Sequence, residues 1–304
     1  MRKIGLSIFP WQTIFKDDKF AIAEAKKAGA DTVDFCLDFN DIRDEHSIYS
    51  KGEEAVIEYY TEIKKHADKV GIEIFQTHGR IKGLSGVEEE DNARLENLRL
   101  DLLASKALGA YACVVHNATS GEHGADPDKD MMYSLSMKMF SFALPIAKEC
   151  GVKIATETFG STFKYQTCDF FGRIEHFMRA YNDAKAIEGC GDMMSVCIDT
   201  GHTHVATHYN NPDVAEFIRK VGSEIEIACL HIHDNDSYSD QHNIPHGGTI
   251  DWIDTLGALE DVGYNKVYNL EIDTRKYGRD LITDAATFGV KVMRQLLTRK
   301  FGNN

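Results

Sequence analysis

Two hydrophobic rhythms alternate along the chain. Stretches of helical period, rich in Ala and Lys, run into a glycine, and a short, continuously apolar, β-branched stretch follows: AKKAGADTVDF, ADKVGIEIF, SKALGAYACVV, AKECGVKIA and LEDVGYNKVYNL. The glycines, Gly29, Gly71, Gly109, Gly151 and Gly263, stand where a helix needs a residue of positive φ to stop. A strand that is apolar at every position is buried on both faces, as in a parallel sheet covered by helices. Gly191 and Gly222, ahead of MMSVCID and EIEIACLHI, fit the same place less cleanly; with them the unit recurs about every 40 residues.

An opening strand, KIGLSIF, brings the expected strands to eight, at 3–9, 32–39, 73–78, 112–117, 153–158, 194–199, 227–233 and 266–272. Helices are expected between them, most plainly at 52–70, at 90–108, where Leu95, Leu98 and Leu102 share a face, and at 283–299. Eight βα units with buried strands predict an α/β fold, a (β/α)8 TIM barrel in which residues 1–304 form a single domain. An open doubly wound sheet would require a glycine-rich phosphate loop after the first strand, and that place holds FPWQT. Pro145, within FALPIAKEC, is expected to kink or delay its helix.

Composition excludes more than it identifies. With 48 acidic against 34 basic residues the net charge is -14, which argues against nucleic acid as a partner. Seven cysteines without CxxC spacing suggest neither a disulfide framework nor a thiolate zinc site, so a reducing, cytoplasmic location is expected. The apolar run in MRKIGLSIFPW is too short for a signal peptide, and no stretch approaches a membrane span, so no membrane association is expected.

Barrels of this kind carry their chemistry at the C-terminal ends of the strands. Six consecutive expected strands end in an ionisable side chain: His78 in QTHGR, His116 in VVHNATS, Glu157 in IATETFG, Asp199 and His202 in CIDTGHTH, His231 in LHIHDND, and Glu271 in LEID. Any one alone reads more readily as a hydrogen-bonded loop residue than as a ligand. Glu157 and Glu271 are harder to dismiss, because each follows or interrupts an apolar strand, where an unpaired carboxylate is costly. His231 and His233 share a face; His231 is preferred as a ligand because it lies deeper in the apolar run. Two glutamates, one aspartate and one imidazole form an oxygen-rich set that suits one divalent ion, with Mn2+ favoured and Mg2+, Co2+ or Zn2+ as alternatives.

These residues resemble a known family. The strand-end Glu157, the DTGH of Asp199 and His202, the HIHDND around His231, the later GGTIDW, and Glu271 resemble the xylose isomerase-like TIM barrel superfamily, particularly its sugar and sugar-phosphate isomerases and epimerases. The resemblance implies that Glu157, Asp199, His231 and Glu271 bind one metal, that His202 contacts substrate, and that the partner is a small sugar or sugar phosphate. It implies a homo-oligomer, dimer or tetramer. The expected catalytic residues are Glu157 and Glu271, which would exchange a proton beside a metal-polarised carbonyl through an enediolate, and His202, which would stabilise the oxygen gaining charge. Where relatives commonly have Pro-Gly-x-Gly before Ile-Asp-Trp, this chain has PHGG, with His246 in the first glycine's place.

A rival reading starts from the same residues. The endonuclease IV branch holds three zinc ions at nine positions, and the chain has a suitable residue at each: His78, His116, Glu157, Asp199, His202, His231, Asp240, His242 and Glu271. The acidic balance and the lack of basic, aromatic loops count against a duplex substrate. His78, His116, His233, Asp240, His242 and His246 are therefore assigned to additional metal or substrate contacts. A lyase or dehydratase using the same enolate step is a third reading, and a binding module without chemistry a fourth. Among weaker signals, Arg80, Arg275, Lys276 and Arg279 are candidates to grip a phosphate, and Phe9, Trp11 and Phe159 to form an apolar wall. His66, His123, His176 and His208 receive no role.

Overall fold

The computed structural model describes residues 2–162 and 164–302. Eight parallel strands form the sheet: β1 (Ile4–Ser7), β2 (Thr32–Cys36), β3 (Glu73–His78), β4 (Ala112–Val115), β5 (Lys153–Glu157), β6 (Met194–Asp199), β7 (Ile227–His231) and β8 (Tyr268–Leu270). Each pairs with the next, β8 pairs with β1, and a parallel bridge between Ile232 and Leu270 joins β7 to β8. The fold is a TIM barrel, as the repeating βα pattern predicts.

The predicted glycine stops hold at Gly71, Gly109 and Gly151, which end helices Glu53–Val70, Glu88–Leu108 and Lys129–Cys150 at φ of 77°, 72° and 70°. Gly29 and Gly263 also take positive φ. Gly191 and Gly222 do not act this way: Gly191 opens a short 3-10 turn, and Gly222 is the last residue of helix Val214–Gly222. Pro145 neither delays nor ends its helix, which runs unbroken from Lys129 to Cys150.

Several strands are shorter than expected. β1 stops at Ser7 because a helix, Phe9–Phe15, begins at once, with Pro10 where its missing N–H costs nothing. β4 and β8 likewise end just before His116 and Glu271, and β7 ends on His231, so His116, His233 and Glu271 lie one or two residues beyond their strands. The main core lies between the sheet and the helices, while Ala112, Val114, Ala155, Cys197, Ala228 and Cys229 form a second, small-residue cluster. Two register shifts interrupt the ladder, between Val33 and Asp34 against β3 and between Val196 and Cys197 against β7. Such irregularities re-aim the side chains beyond them, and here those are His78 and His231. All seven cysteines are free. No helix among the described residues is long and apolar enough to cross a membrane.

Candidate active site

The strand ends converge on Glu157. Its Oε2 lies 3.1 Å from His116 Nε2, 3.5 Å from His78 Nε2 and 3.1 Å from His231 Nδ1, and its Oε1 lies 3.1 Å from His202 Nδ1. Glu271 comes in from the far side of the barrel, with Oε2 3.4 Å from His231 Nδ1 and Oε1 3.8 Å from His78 Nε2. One ligand atom from each of Glu157, Asp199, His231 and Glu271 falls within 4.8 Å of the others, and all four residues are buried. This is the predicted quartet.

A second group, His202, His233, Asp240 and His242, brings its ligand atoms equally close together beside it, and His78, Glu157 and His231 form a third that overlaps the quartet. His233 faces Asp199 at 3.0 Å and Asp240 at 3.7 Å, so the two histidines of β7 and its extension serve different groups. His231 sits with the glutamates and His233 with the loop residues.

Local structure accounts for these positions. Asp199 caps helix Thr200–Thr207, accepting the His202 N–H at 2.6 Å, and that turn folds the His202 ring back over Glu157. Gly201 between them has a separate role: a Cβ there would stand 1.9 Å from His233 Cε1. Three imidazoles have their tautomers set by backbone carbonyls, which can only accept. His202 Nδ1 donates to Thr158 O at 3.0 Å, His242 Nδ1 to Glu271 O at 2.9 Å, and His78 Nδ1 to Gly79 O at 3.3 Å. Each ring's Nε2 is thereby directed at a carboxylate of the cluster: Glu157 for His78, Asp240 for His202 and His242.

The charges are strongly coupled. Burial alone would raise the Glu157 carboxyl, but the charges on His116 and His231, with hydrogen bonds from His116 and His202, hold it well below the usual carboxylate range. Burial opposes charge on His78, yet Glu157 outweighs it and pushes the imidazole up to about 9. His242 goes up to about 10, where Asp240 overcomes the same burial cost. His202 is raised well above its ordinary value, with Asp199 and Asp240 outweighing desolvation.

A cavity of about 520 Å³ opens over the cluster, lined by His116, Phe159, His202, Asp240, Lys82 and Lys164 among others. Its wall includes a short hairpin that the hydrophobic pattern does not reveal, Ser161–Thr162 against Thr167–Cys168, pinned by Asp169. Asp169 Oδ2 accepts from Ser120 N at 2.8 Å and Thr162 Oγ1 at 3.2 Å, and burial pushes its carboxyl up to about 6.

Other expectations need correcting. His246 is exposed and lines a separate groove with Asn243, Ile244, Pro245 and helix Ile282–Phe301, so it does not join the site. Trp11 is buried in the core, donating to Thr283 Oγ1, and only Phe159 of the expected apolar wall lines the cavity. The phosphate candidates are occupied elsewhere. Arg80 is buried in a bidentate pair with Asp101 at 2.7 and 3.0 Å, and it also donates to Leu37 O and Asn40 O. Arg275 pairs with Asp273, Lys276 reaches Gln241 O, and Arg279 lies over the Phe15 ring. His123 and His176 are held by Leu84 O and Tyr133 Oη, away from the cluster.

Fold and site together define a class: a (β/α)8 barrel whose strand ends gather carboxylates and imidazoles around a common centre. A family model described as xylose isomerase-like TIM barrel matches residues 22–296, and the chain belongs to that family. An uncharacterized protein of Sinorhizobium fredii, y4fM, is 26% identical over 204 residues, a match covering 67% of this chain and 58% of that protein. Among solved structures, a D-tagatose 3-epimerase-like protein aligns with a TM-score of 0.74 at 18% identity over 98% of each chain. The IolI protein with a binding zinc atom aligns with a TM-score of 0.73 at 17% identity, over 98% of this chain and 99% of that one. At such identities these two likenesses concern the fold.

Proposed function

We propose that this protein is a divalent-metal-dependent isomerase or epimerase acting on a sugar or sugar phosphate. The observation carrying the reading is the convergence of Glu157 and Glu271, both buried, with Asp199 and His231 within 4.8 Å. The residues fit a cation: Nδ1 of fully buried His231 has no hydrogen-bond partner and faces both glutamates. Glu157, Asp199, His231 and Glu271 would hold the ion, which, when bound, supplies the Lewis acidity that polarises a carbonyl and acidifies the neighbouring C–H. The names of an epimerase-like protein and of a zinc-binding relative among the similar structures support the same reading.

The two carboxylates reach the common centre from strands on different sides of the barrel. One takes a proton from the substrate carbon; return by the other, from the opposite face, inverts that carbon, and return to the adjacent carbon interconverts aldose and ketose. Asp240, 43% exposed at the mouth, keeps His202 and His242 charged, and the protonated His202 Nε2 can donate to a substrate oxygen that gains charge. Phe159 offers an apolar face to the sugar carbons. With Arg80 and Arg275 engaged in ion pairs, an unphosphorylated sugar is the first substrate to test.

The test is a panel of ketoses and ketose phosphates assayed in D2O with Mn2+. Wild type should introduce deuterium beside the carbonyl, and Glu157→Gln should lose that exchange while keeping its circular dichroism spectrum. Exchange retained in the variant would remove Glu157 from the proton-transfer role. A second reading, a hydrolase with several metal ions, is favoured by the His202, His233, Asp240 and His242 group. Elemental analysis separates them: one ion per chain fits the isomerase, and three zincs with hydrolysis of bis-p-nitrophenyl phosphate fit the hydrolase.

A further inference from the structure

Beneath the candidate centre one side of the barrel interior, on β2, β3 and β8, is polar. Thr32, Asp34, Gln76 and Asn269 form a layer there, each nearly or fully buried, brought together by the pairings Gly5 with Thr32 and Asn269, and Asp34 with Gln76. Gly5 makes the layer sterically feasible, since a Cβ at that position would stand 2.5 Å from Asn269 Oδ1 and 2.9 Å from Thr32 Oγ1. Within the layer Asp34 is the only charged member. Its Oδ2 lies 3.3 Å from His231 Nε2 and accepts from Asn269 Nδ2 at 3.4 Å. Asp34 also lies just past one of the two register shifts, which sets its aim toward the axis.

His231 is thus held between carboxylates at both ends of its ring: Glu157 and Glu271 at Nδ1, Asp34 at Nε2. Its ring is stacked on that of His78 at 5.2 Å between centroids, and both residues are buried, so reorientation is costly. A neutral imidazole can present a lone pair at Nδ1 only if its proton sits on Nε2. In a fully buried ring that proton needs an acceptor. Asp34 is the carboxylate within reach of Nε2, at 3.3 Å, whereas without it the proton would settle at Nδ1 between the glutamates.

We propose that Asp34 is a positioning residue for the metal centre. It fixes His231 in the tautomer that carries its proton on Nε2, and so directs Nδ1 to a divalent cation. The inference rests on His231 being a ligand, as the proposed function requires, and it concerns a residue that touches neither cation nor substrate.

The test uses zinc alone, with competition against a chromophoric chelator, on the purified full-length chain. Wild type should bind zinc. Asp34→Ala should bind it about 10–100-fold more weakly, the usual cost of losing a ligand's supporting carboxylate. Asp34→Asn retains a carbonyl acceptor and should recover part of the loss. A purely structural role would lower the thermal midpoint of metal-free protein without changing zinc affinity among folded variants. If Asp34→Ala does not fold, the tautomer is read directly in zinc-loaded wild type by histidine 15N–1H correlation, with the His231 signal assigned by its loss in His231→Gln. A protonated Nε2 supports the proposal; a protonated Nδ1, or equal affinity in Asp34→Ala and wild type, overturns it. Absence of zinc binding by wild type would instead overturn the reading of the site itself, and the inference with it.

Discussion

At the scale of single residues, protons on the imidazoles and a cation compete for the same carboxylate cluster. His78 and His242, with folded-state values of about 9 and about 10 against ordinary values of 6.5, carry protons at neutral pH in metal-free protein. Since these values are raised, the stabilisation from the imidazolium–carboxylate contacts is fully present below about 6.5 and is lost as pH climbs through about 9 to 10. Metal-free protein should therefore melt at progressively lower temperature across that window. Cation affinity should move the opposite way, strengthening about tenfold per pH unit for each proton displaced. Calorimetry in two buffers of different ionisation enthalpy reads the proton release directly, and a value of zero near neutral pH would contradict the assignment of these imidazoles. His246 provides a second test. At φ 73° it occupies a backbone region that favours glycine, and its side chain is exposed. His246→Gly should stabilise the fold by about 0.5–1 kcal/mol in urea unfolding, relief of left-handed strain exceeding the entropy glycine adds to the unfolded chain. The quartet of candidate ligands was legible because strand ends are the places to look in a barrel. Asp34 and Arg80 were not: an acidic residue in mid-strand has no sequence signature, and Arg80 looked like a phosphate grip because its partner Asp101 lies on a distant helix face.

At the scale of elements, the loop after β7 shows how a polar excursion is held rigid. Asp234, fully buried, accepts from Asn235 N, His246 N, Ile250 N and Trp252 Nε1 at 2.9 to 3.2 Å, and its backbone exchanges two hydrogen bonds with Asn243. This one carboxylate ties the segment bearing Asp240 and His242 to the helix Trp252–Asp261. Asp234→Ala would leave buried donors unsatisfied and should cost about 3 kcal/mol. Limited proteolysis should then cut first between residues 236 and 248; a cleavage pattern like wild type would show that the loop does not depend on Asp234. Gly201→Ala makes a narrower prediction. With a Cβ 1.9 Å from His233, the ring must leave its place, so the second ligand group should be lost while the quartet persists. Elemental analysis should show the ion count per chain falling if that group holds a cation, and unchanged if it serves substrate. The pattern of apolar positions foretold that eight strands exist, but not where they end. Their limits are fixed by the segment immediately after each strand, such as the helix that begins at Phe9, and by register shifts that depend on neighbours about 40 residues away in the chain.

At the scale of the whole molecule, the proposed site makes global stability a function of cation concentration. The centre gathers candidate ligands from β3, from β5 to β8 and from their extensions, so an unfolded chain cannot reproduce it, and an ion bound only by the folded state adds RT ln(1 + [L]/Kd) to stability. For one ion at 100 times its Kd this is about 2.7 kcal/mol, and every further tenfold rise adds about 1.4 kcal/mol. The slope carries more information than the shift. If only the Glu157, Asp199, His231 and Glu271 quartet takes an ion, unfolding free energy should rise by that single increment per decade of Mn2+. If the separate His202, His233, Asp240 and His242 group fills as well, the increment should approach twice as much, since each ion contributes its own logarithm. The net charge of -14 adds a non-specific component, because any divalent cation screens repulsion among exposed carboxylates. Repeating the titration at high monovalent salt removes that component and leaves the stoichiometric slope. Denaturant unfolding across several decades of free Mn2+, buffered by a chelator, therefore counts the ions at the barrel mouth without any substrate. A slope of zero at high salt would mean that the converging carboxylates and imidazoles neutralise one another and hold no cation.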